Sequence, residues 1–503
     1  MSPAFLYVAM GLNQRRTGAA PAPEPSGLTP ALSVTTHQNN TRTVTEVVSG
    51  STTITGPAPL FMHFDASGSR SESTGCDTVA GACFLMGYRL NYGEGLGGTW
   101  PYSGLTRDED VGFPIFFRAF TEIGTHTVRL KVKDPDDRES TITFTVVVQD
   151  PQTVYDVVSI SEGGAWPTMA SGTCYTIAAG LNVTAKGTPN TDGLRDIVFM
   201  KTGSGADPLM AQFTPDSRRT PNGPVTRASN VRLWNIDTTA LAIDTVGFDF
   251  CGVVGGRCRH VEAPIIDYVW DNDVNTEAKA LSIRRVRGVI LWDCGEVNIT
   301  GDYVWIGDAS TFVMQGLDLH KEGGASGGHV IRGGFHHSVW RHNKFRVTAA
   351  STTYMKFTAV PGPGVPSDWR SDDVYGTWSG GSKPRYHVAT QLNAIQNNYY
   401  GDATDSSELG IGVTPENNDG GGAGPFDGLE LTSVEDNYFH RASGGFGVSL
   451  GGRNLGSRNN RYSAGSGGYV AVGESHNPNR IPSGWDGPYV NETTNTRPVP
   501  SAF

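Results

Sequence analysis

The sequence predicts an all-β protein, a β-sandwich followed by a parallel β-helix, and three observations predict it. A six-residue pattern recurs four times in the second half: Trp340-Arg341-His342-Asn343-Lys344-Phe345, Ile395-Gln396-Asn397-Asn398-Tyr399-Tyr400, Val434-Glu435-Asp436-Asn437-Tyr438-Phe439 and Ser457-Arg458-Asn459-Asn460-Arg461-Tyr462. Residues 31–150 instead hold short runs in which apolar and polar residues alternate. The whole chain of 503 residues carries 65 Gly and 29 Pro with only 18% charged residues. That is a turn-rich composition, and no run has helical periodicity.

Each copy of the pattern places an Asn two residues before an aromatic. Asn437 and Asn460 are 23 apart, a period of stacked repeats. The gaps of 39 and 55 would be one or two such turns carrying long loops. A repeat that cannot bury its own apolar face must stack on its neighbours. In a parallel stack, strands lie about 4.8 Å apart, so equivalent Asn side chains sit above one another and each amide donates to the next. Buried amides are tolerated when paired in this way. One copy would merely mark a loop end, Asn being a common turn residue; four at the same offsets favour a ladder. Further rungs are expected at 231–236, 280–283, 289–292 and 303–306.

Ahead of the repeats, strands are expected at Thr43–Val48, Leu60–Phe64, Thr125–Lys133 and Thr141–Val148. Thr127 to Lys133 alternates apolar with polar, the mark of a half-buried strand, and several such strands separated by Gly and Asp turns indicate a sandwich. Phe64-Asp65-Ala66-Ser67-Gly68-Ser69, Leu90-Asn91-Tyr92-Gly93-Glu94-Gly95 and Phe120-Thr121-Glu122-Ile123-Gly124-Thr125-His126-Thr127-Val128 resemble the polycystic-kidney-disease (PKD) type of immunoglobulin-like domain. In that family an FDAS-type segment, a WDFGDG-type turn and a Y-x-x-x-G-x-Y-x-V strand occur in this order. Here Leu90 replaces the Trp, Asn91 and Glu94 the two Asp, and Phe120 and His126 the two Tyr. The resemblance spans about 110 residues and implies an extracellular spacer or adhesion module. It gives no support to a calcium site, and no cofactor is expected.

The repeats between 151 and 480 resemble the pectin-lyase-like family of right-handed parallel β-helices in architecture and Asn pattern. That family includes polysaccharide lyases, glycoside hydrolases, phage tailspikes and non-catalytic adhesins, so fold alone does not settle function. The expected organisation is a docking arm and Pro-rich linker (1–30), a PKD-like Ig-like β-sandwich (31–150), a right-handed parallel β-helix (151–480) and a C-terminal cap over the last rung (481–503). In the arm, apolar Phe5 to Leu12 precedes Arg15-Arg16, the reverse of a secretory signal. It is read as an attachment arm, the other reading being a tail without a partner.

A net charge of −11 argues against a general nucleic-acid binder. No apolar stretch approaches the roughly 20 residues that span a bilayer. Cys76 with Cys83, and Cys251 with Cys258, are close enough in sequence for loop-closing disulfides, with buried thiols as the alternative. Neither pair has CxxC spacing and no matched His set accompanies them, so no metal is expected.

The segment 329–346 concentrates His329, Arg332, His336, His337, Arg341, His342, Lys344 and Arg346 without an acidic residue. With Trp340 and Phe345 inward, Arg341 and Lys344 would point outward, and Met355 and Phe357 would leave Tyr354 and Lys356 on the surface. Such a face suits an anionic sugar polymer, whose carboxylates pair with guanidinium groups. Arg332, Lys344 and Arg346 are the expected glycan contacts, joined by Trp369, Tyr375 and Trp378 from a long insertion. A lyase needs a base for the proton beside a uronate carboxylate and a cation for the enolate-like charge. Lys356 would be the base, Arg341 the cation, and His337 or Tyr354 the acid; a non-catalytic binding face is the alternative. A hydrolase would need paired carboxylates, and Asp318, Glu322, Asp402, Asp405, Glu408, Asp427, Glu430 and Glu435 form no distinctive pair.

The combined expectation is a virion-surface head or tail fibre or tailspike of a bacteriophage or related particle. It would bind a bacterial surface glycan and attach to other virion proteins through the arm, as a homo-trimer on the pattern of tailspikes of this fold. The rival is a secreted polysaccharide lyase with an accessory PKD domain; a cell-surface adhesin is a third option.

Overall fold

The alternating run at Thr125–Lys133 falls within the strand Gly124–Lys133, whose residues alternate between the interior and the surface. In the computed structural model it pairs antiparallel with Glu139–Gln149 and with Gly87–Asn91. Thr53–Pro57 and Glu109–Gly112 complete a five-stranded sheet, and Thr41–Glu46, Ser33–Gln38, Leu60–Asp65 and Ile115–Phe120 form a four-stranded one. Val34, Phe64, Leu90, Tyr92, Phe116, Leu130 and Phe144 fill the space between them, so this half is a β-sandwich. The structure describes residues 27–38, 41–73, 86–100, 103–191, 193–211, the strands and some intervening turns between 228 and 472, and 498–503.

Ile115–Phe120 reads Ile-Phe-Phe-Arg-Ala-Phe and is buried along its whole length. Its lack of alternation has a cause: a strand covered on both faces has no polar side. Phe116 and Phe120 face the sandwich core, while Ile115, Phe117 and Ala119 pack against the second half of the molecule.

That second half is a parallel β-helix. Sheet I runs from Asp156–Ile160 through Ala228–Trp234, Val286–Trp292, Val313–Gln315, Val339–Arg341, Leu392–Gln396 and Leu431–Glu435 to Asn454–Arg458. Sheet II contains Glu296–Ile299, Asp318–Lys321, Lys344–Val347, Tyr399–Ala403, Tyr438–Arg441 and Arg461–Tyr462. Sheet III runs from Leu241–Asp244 through His329–Gly333, Thr353–Thr358 and Ile411–Thr414 to Val470–Val472. The chain visits sheets III, I and II in turn, and every pairing within the three is parallel. Val339–Arg341 pairs directly with Leu392–Gln396, and that strand with Leu431–Glu435, so the gaps of 55 and 39 are each one rung with an insertion. The expected rungs at 231–236, 280–283, 289–292 and 303–306 are all present as strands.

The Asn residues stack as predicted. Asn343 Nδ2 donates to Asn398 Oδ1 at 3.0 Å, Asn398 Nδ2 to Asn437 Oδ1 at 3.1 Å, and Asn437 Nδ2 to Asn460 Oδ1 at 3.0 Å. The second hydrogen of each amide goes to a backbone carbonyl, as from Asn398 to Trp340 O. The residue before Asn343, Asn398 and Asn437, and before their counterparts in earlier rungs, has positive φ: Asn235, Asp293, Gly316, His342, Asn397 and Asp436. This is the left-handed turn from sheet I to sheet II, and Asn, Asp, His and Gly are the residue types that tolerate it. Inside the turn, Leu319, Phe345 and Tyr400 form a buried column, with the Phe345 and Tyr400 rings stacked at 5.0 Å.

Three expectations need correction or bounding. The described C-terminal residues, 498–503, do not cap the last rung: they lie on the sandwich, where Lys131 Nζ donates to Ser501 Oγ at 2.8 Å and Ser501 N to Glu139 Oε1 at 2.7 Å. Gly87 makes this possible, since Pro498 O occupies the place its Cβ would take. Cys251 carries a thiol rather than half of a disulfide, its Sγ donating to Ala228 O at 3.9 Å inside the stack. Cys258, Cys76 and Cys83, like the arm at 1–26, lie outside the described residues.

Candidate functional site

A β-helix strand presents its outward residues on one of three faces, and consecutive strands present them on different faces. The basic segment 329–346 is therefore divided. Arg332 lies on sheet III, Arg341 on sheet I, and Lys344 and Arg346 on sheet II. Proximity in sequence had made them one face; the corners of the rung separate them.

The middle of sheet I is covered by the sandwich. Its outward residues Ile290, Trp292, Val313, Val339 and Ala394 pack with Phe61, Trp100, Phe113, Ile115, Phe117 and Ala119. Arg341 does leave the rung as expected, but into this junction, where it is fully buried. Its guanidinium donates to Phe113 O at 3.1 Å and to Gln396 Oε1 from both Nε and Nη2, and it lies 4.3 Å over the Phe116 ring. Burial holds its pKa below the ordinary arginine value, against the pull of Asp110. Arg341 thus cannot neutralise the carboxylate of a polymer, and the proposed lyase constellation loses its cation. Glu435, one of the acids without a distinctive pairing in the sequence, is buried too, accepting from Gln396 Nε2 at 2.9 Å and Ser433 Oγ at 2.6 Å.

A polar network crosses the junction beside Arg341. Asp110, from the sandwich, accepts from Tyr92 OH at 2.5 Å, Gln315 Nε2 at 3.3 Å and His342 Nε2 at 2.6 Å. Burial raises the Asp110 pKa, but the hydrogen bond and charge of His342, then Arg341 and Tyr92, outweigh it and hold the carboxyl below its usual value. Burial also lowers the His342 pKa, more than Asp110 raises it, which favours the neutral imidazole. Trp100 lies flat on that imidazole, centroids 4.6 Å apart. Its other neighbours include Arg107, 4.9 Å over the ring and paired with Asp293.

Among the described residues, none of sheet II or sheet III belongs to this apolar junction. On sheet II the register column reads Asp318, Lys344, Tyr399, Tyr438, Arg461. Asp318, Lys344, Tyr399 and Tyr438 are half-buried. The Tyr399 and Tyr438 rings are 5.5 Å apart, Lys344 Nζ stands 5.8 Å from the Tyr399 centroid, and Arg346 Nε donates to Asp318 Oδ1 at 2.8 Å. On sheet III, Arg332 and Lys356 are register partners on adjacent strands, with Gly412 next along and Tyr354 on the strand of Lys356. His337, Trp369, Tyr375 and Trp378 lie outside the described residues. Among the described residues no group of His, Cys, Asp and Glu could hold a metal ion. On the sandwich, the Asp134 and Asp136 carboxylates are instead bridged by the guanidinium of Arg138.

No family model and no curated protein matches the chain. Among solved structures, it is similar to the Yersinia enterocolitica family 28 exopolygalacturonase at 10% identity and a TM-score of 0.28, over 83% of this chain and 97% of that one. The fold assignment rests on the strand register, not on this likeness.

Sequence reasoning did not find Tyr399 and Tyr438 as surface groups, nor the junction residues Trp100, Asp110, His342 and Gln396. A signal was present for the last two. His342 occupies the turn position of the six-residue pattern, and Gln396 ends its strand in a column with Arg341 and Glu435 that is polar yet flanked by apolar neighbours.

Proposed function

We propose that the β-helix binds a bacterial surface polysaccharide and that the chain is a fibre or spike component of a phage or phage-like particle, with the PKD-like sandwich as its spacer. The observation that carries the binding reading is the sheet II column, in which a lysine and two tyrosines repeat at rung spacing with Arg346 alongside. Cationic groups pair with the carboxylates of an acidic glycan, and tyrosines offer both ring edges and hydroxyl groups to sugars. The virion assignment is supported by the combination of a stiff stack with a module clamped along its side, a build suited to presenting a surface. Attachment would run through the N-terminal arm, and a homo-trimer is the proposed assembly.

The depolymerase reading has one observation in its favour, the adjacency of Arg332 and Lys356 on sheet III. A panel of acidic and neutral bacterial polysaccharides separates the two. Salt-sensitive binding to acidic members, weakened about tenfold in Lys344→Ala/Tyr438→Ala and without new ends, supports the fibre reading. Release of unsaturated ends, abolished by Lys356→Ala, would replace it with a lyase. Absence of binding to every member by the folded chain would sink both.

A further inference from the structure

Docking of the sandwich on sheet I completes a hydrogen-bonded chain that neither half contains alone. Ser103 and Asp110 belong to the sandwich and His342 to the turn between sheets I and II. Ser103 Oγ lies 3.4 Å from His342 Nδ1, and His342 Nε2 lies 2.6 Å from Asp110 Oδ1. The Asp110 carboxylate can only accept, so it fixes the proton of the neutral imidazole on Nε2 and leaves the Nδ1 lone pair facing the Ser103 hydroxyl. Tyr92 and Gln315 orient the carboxylate, and the parallel Trp100 ring holds the imidazole plane.

Ser103 itself is half-exposed, whereas its two partners are buried. It is followed by Gly104, which is exposed with positive φ and open space where a side chain would stand. Leu105 N–H points at Ser103 Oγ from 3.3 Å. A hydroxyl on an open turn, a base behind it and a carboxylate behind the base are the three roles of an activated serine nucleophile. The ring nitrogens are used in the reverse of the common order. The requirement is only one protonated nitrogen on the carboxylate and one bare nitrogen on the hydroxyl, and it is met. A resting distance of 3.4 Å is of the kind that tightens when substrate binds.

We propose that Ser103, His342 and Asp110 form a nucleophile, base and positioning carboxylate that hydrolyse carboxylic esters. Ser103 Oγ attacks the ester carbonyl carbon while its proton passes to His342 Nδ1. The tetrahedral intermediate, its oxyanion beside Leu105 N–H, collapses with cleavage of the carbon–oxygen bond to the alcohol, which leaves with the proton from Nδ1. Water then gives a proton to Nδ1 and adds its oxygen to the acyl carbon. The bond to Oγ breaks, Ser103 recovers its proton, and the carboxylic acid departs. This activity is independent of the glycan-binding reading, because its test uses a model ester and no polysaccharide.

The test treats the full chain with a fluorophosphonate probe, maps the adduct by mass spectrometry, and follows p-nitrophenyl acetate hydrolysis. The expected result is a label on Ser103 and a rate that drops about 100-fold or more in Ser103→Ala, the low end for loss of such a group. Ser103 is on an exposed turn, so this variant should unfold at the wild-type temperature. The labelling rate should also fall on acidification as His342 takes a proton, which a purely structural turn would not show. A folded chain with no label at Ser103, or equal hydrolysis by Ser103→Ala, overturns the proposal.

Discussion

Asn398 occupies the middle of the ladder, and its side chain shows what a single amide contributes to the stack. Its Oδ1 accepts from both the backbone N–H and the side-chain amide of Asn343, and its Nδ2 donates to Trp340 O and Asn437 Oδ1. Asn398→Ala leaves two donors and a carbonyl buried without partners. At 1–3 kcal/mol per stranded group, and with partial relaxation, the expected loss is about 3 kcal/mol. Asn460 is the last described member of the ladder and is half-buried, so water replaces part of what Asn460→Ala removes, and about 1 kcal/mol is expected. Urea unfolding of the two variants compares them directly; equal losses would show that position in the ladder is irrelevant. Gly316 makes a second residue-scale case. Its φ is +73°, and a Cβ there would stand 2.6 Å from Trp100, so Gly316→Ala should displace the ring that holds His342.

At the scale of elements, the strand Glu109–Gly112, which carries Asp110, and the turn at His342 set how the junction responds to acid. Asp110 has a folded pKa below its ordinary value, so its contribution is complete above about 4 and is lost as the pH falls further. His342 also has a lowered folded pKa. The junction therefore favours its neutral form fully above about 6.5, and that advantage fades as the pH falls below this value. The groups facing His342 are Asp110, Ser103, Trp100 and the nearby Arg341 guanidinium. The melting temperature should thus decline between about pH 6.5 and pH 5, with a shallower decline in His342→Gln, which has nothing to protonate. Parallel slopes for the two proteins would remove His342 from the account. Gln396→Leu probes the same junction without titration. It strands the buried Arg341 guanidinium and Glu435 carboxylate, and about 3 kcal/mol of destabilisation is expected in denaturant.

For the whole molecule, both architectures were legible in the sequence because each writes its own period. Thr127 to Lys133 alternates in steps of two, and the Asn-x-aromatic copies mark the one corner of the rung where backbone geometry and amide stacking restrict the residue. Their union was not legible. Arg341, Gln396 and Glu435 lie outward on their strands, and a local reading assigns outward polar residues to solvent. Only the arrival of Phe113 and Asp110 from more than two hundred residues away makes them interior. The strand Ile115–Phe120, apolar on both faces apart from Arg118, is the counterpart of that surprise, since it needs a second surface to cover it. A junction of this composition, with aromatic and aliphatic side chains from both halves around the Asp110, Arg341, His342 and Gln396 hydrogen bonds, couples the two cores. Calorimetry of the intact chain should then give one unfolding transition, although a sandwich and a solenoid each have a core of their own. Trp100→Ala combined with Phe117→Ala removes two large side chains from the shared cluster, each worth about 3–5 kcal/mol when truncated to alanine. The single transition should split into two as the halves lose their coupling. A lowered but unsplit transition would mean that sandwich and stack are bound together by something other than this junction.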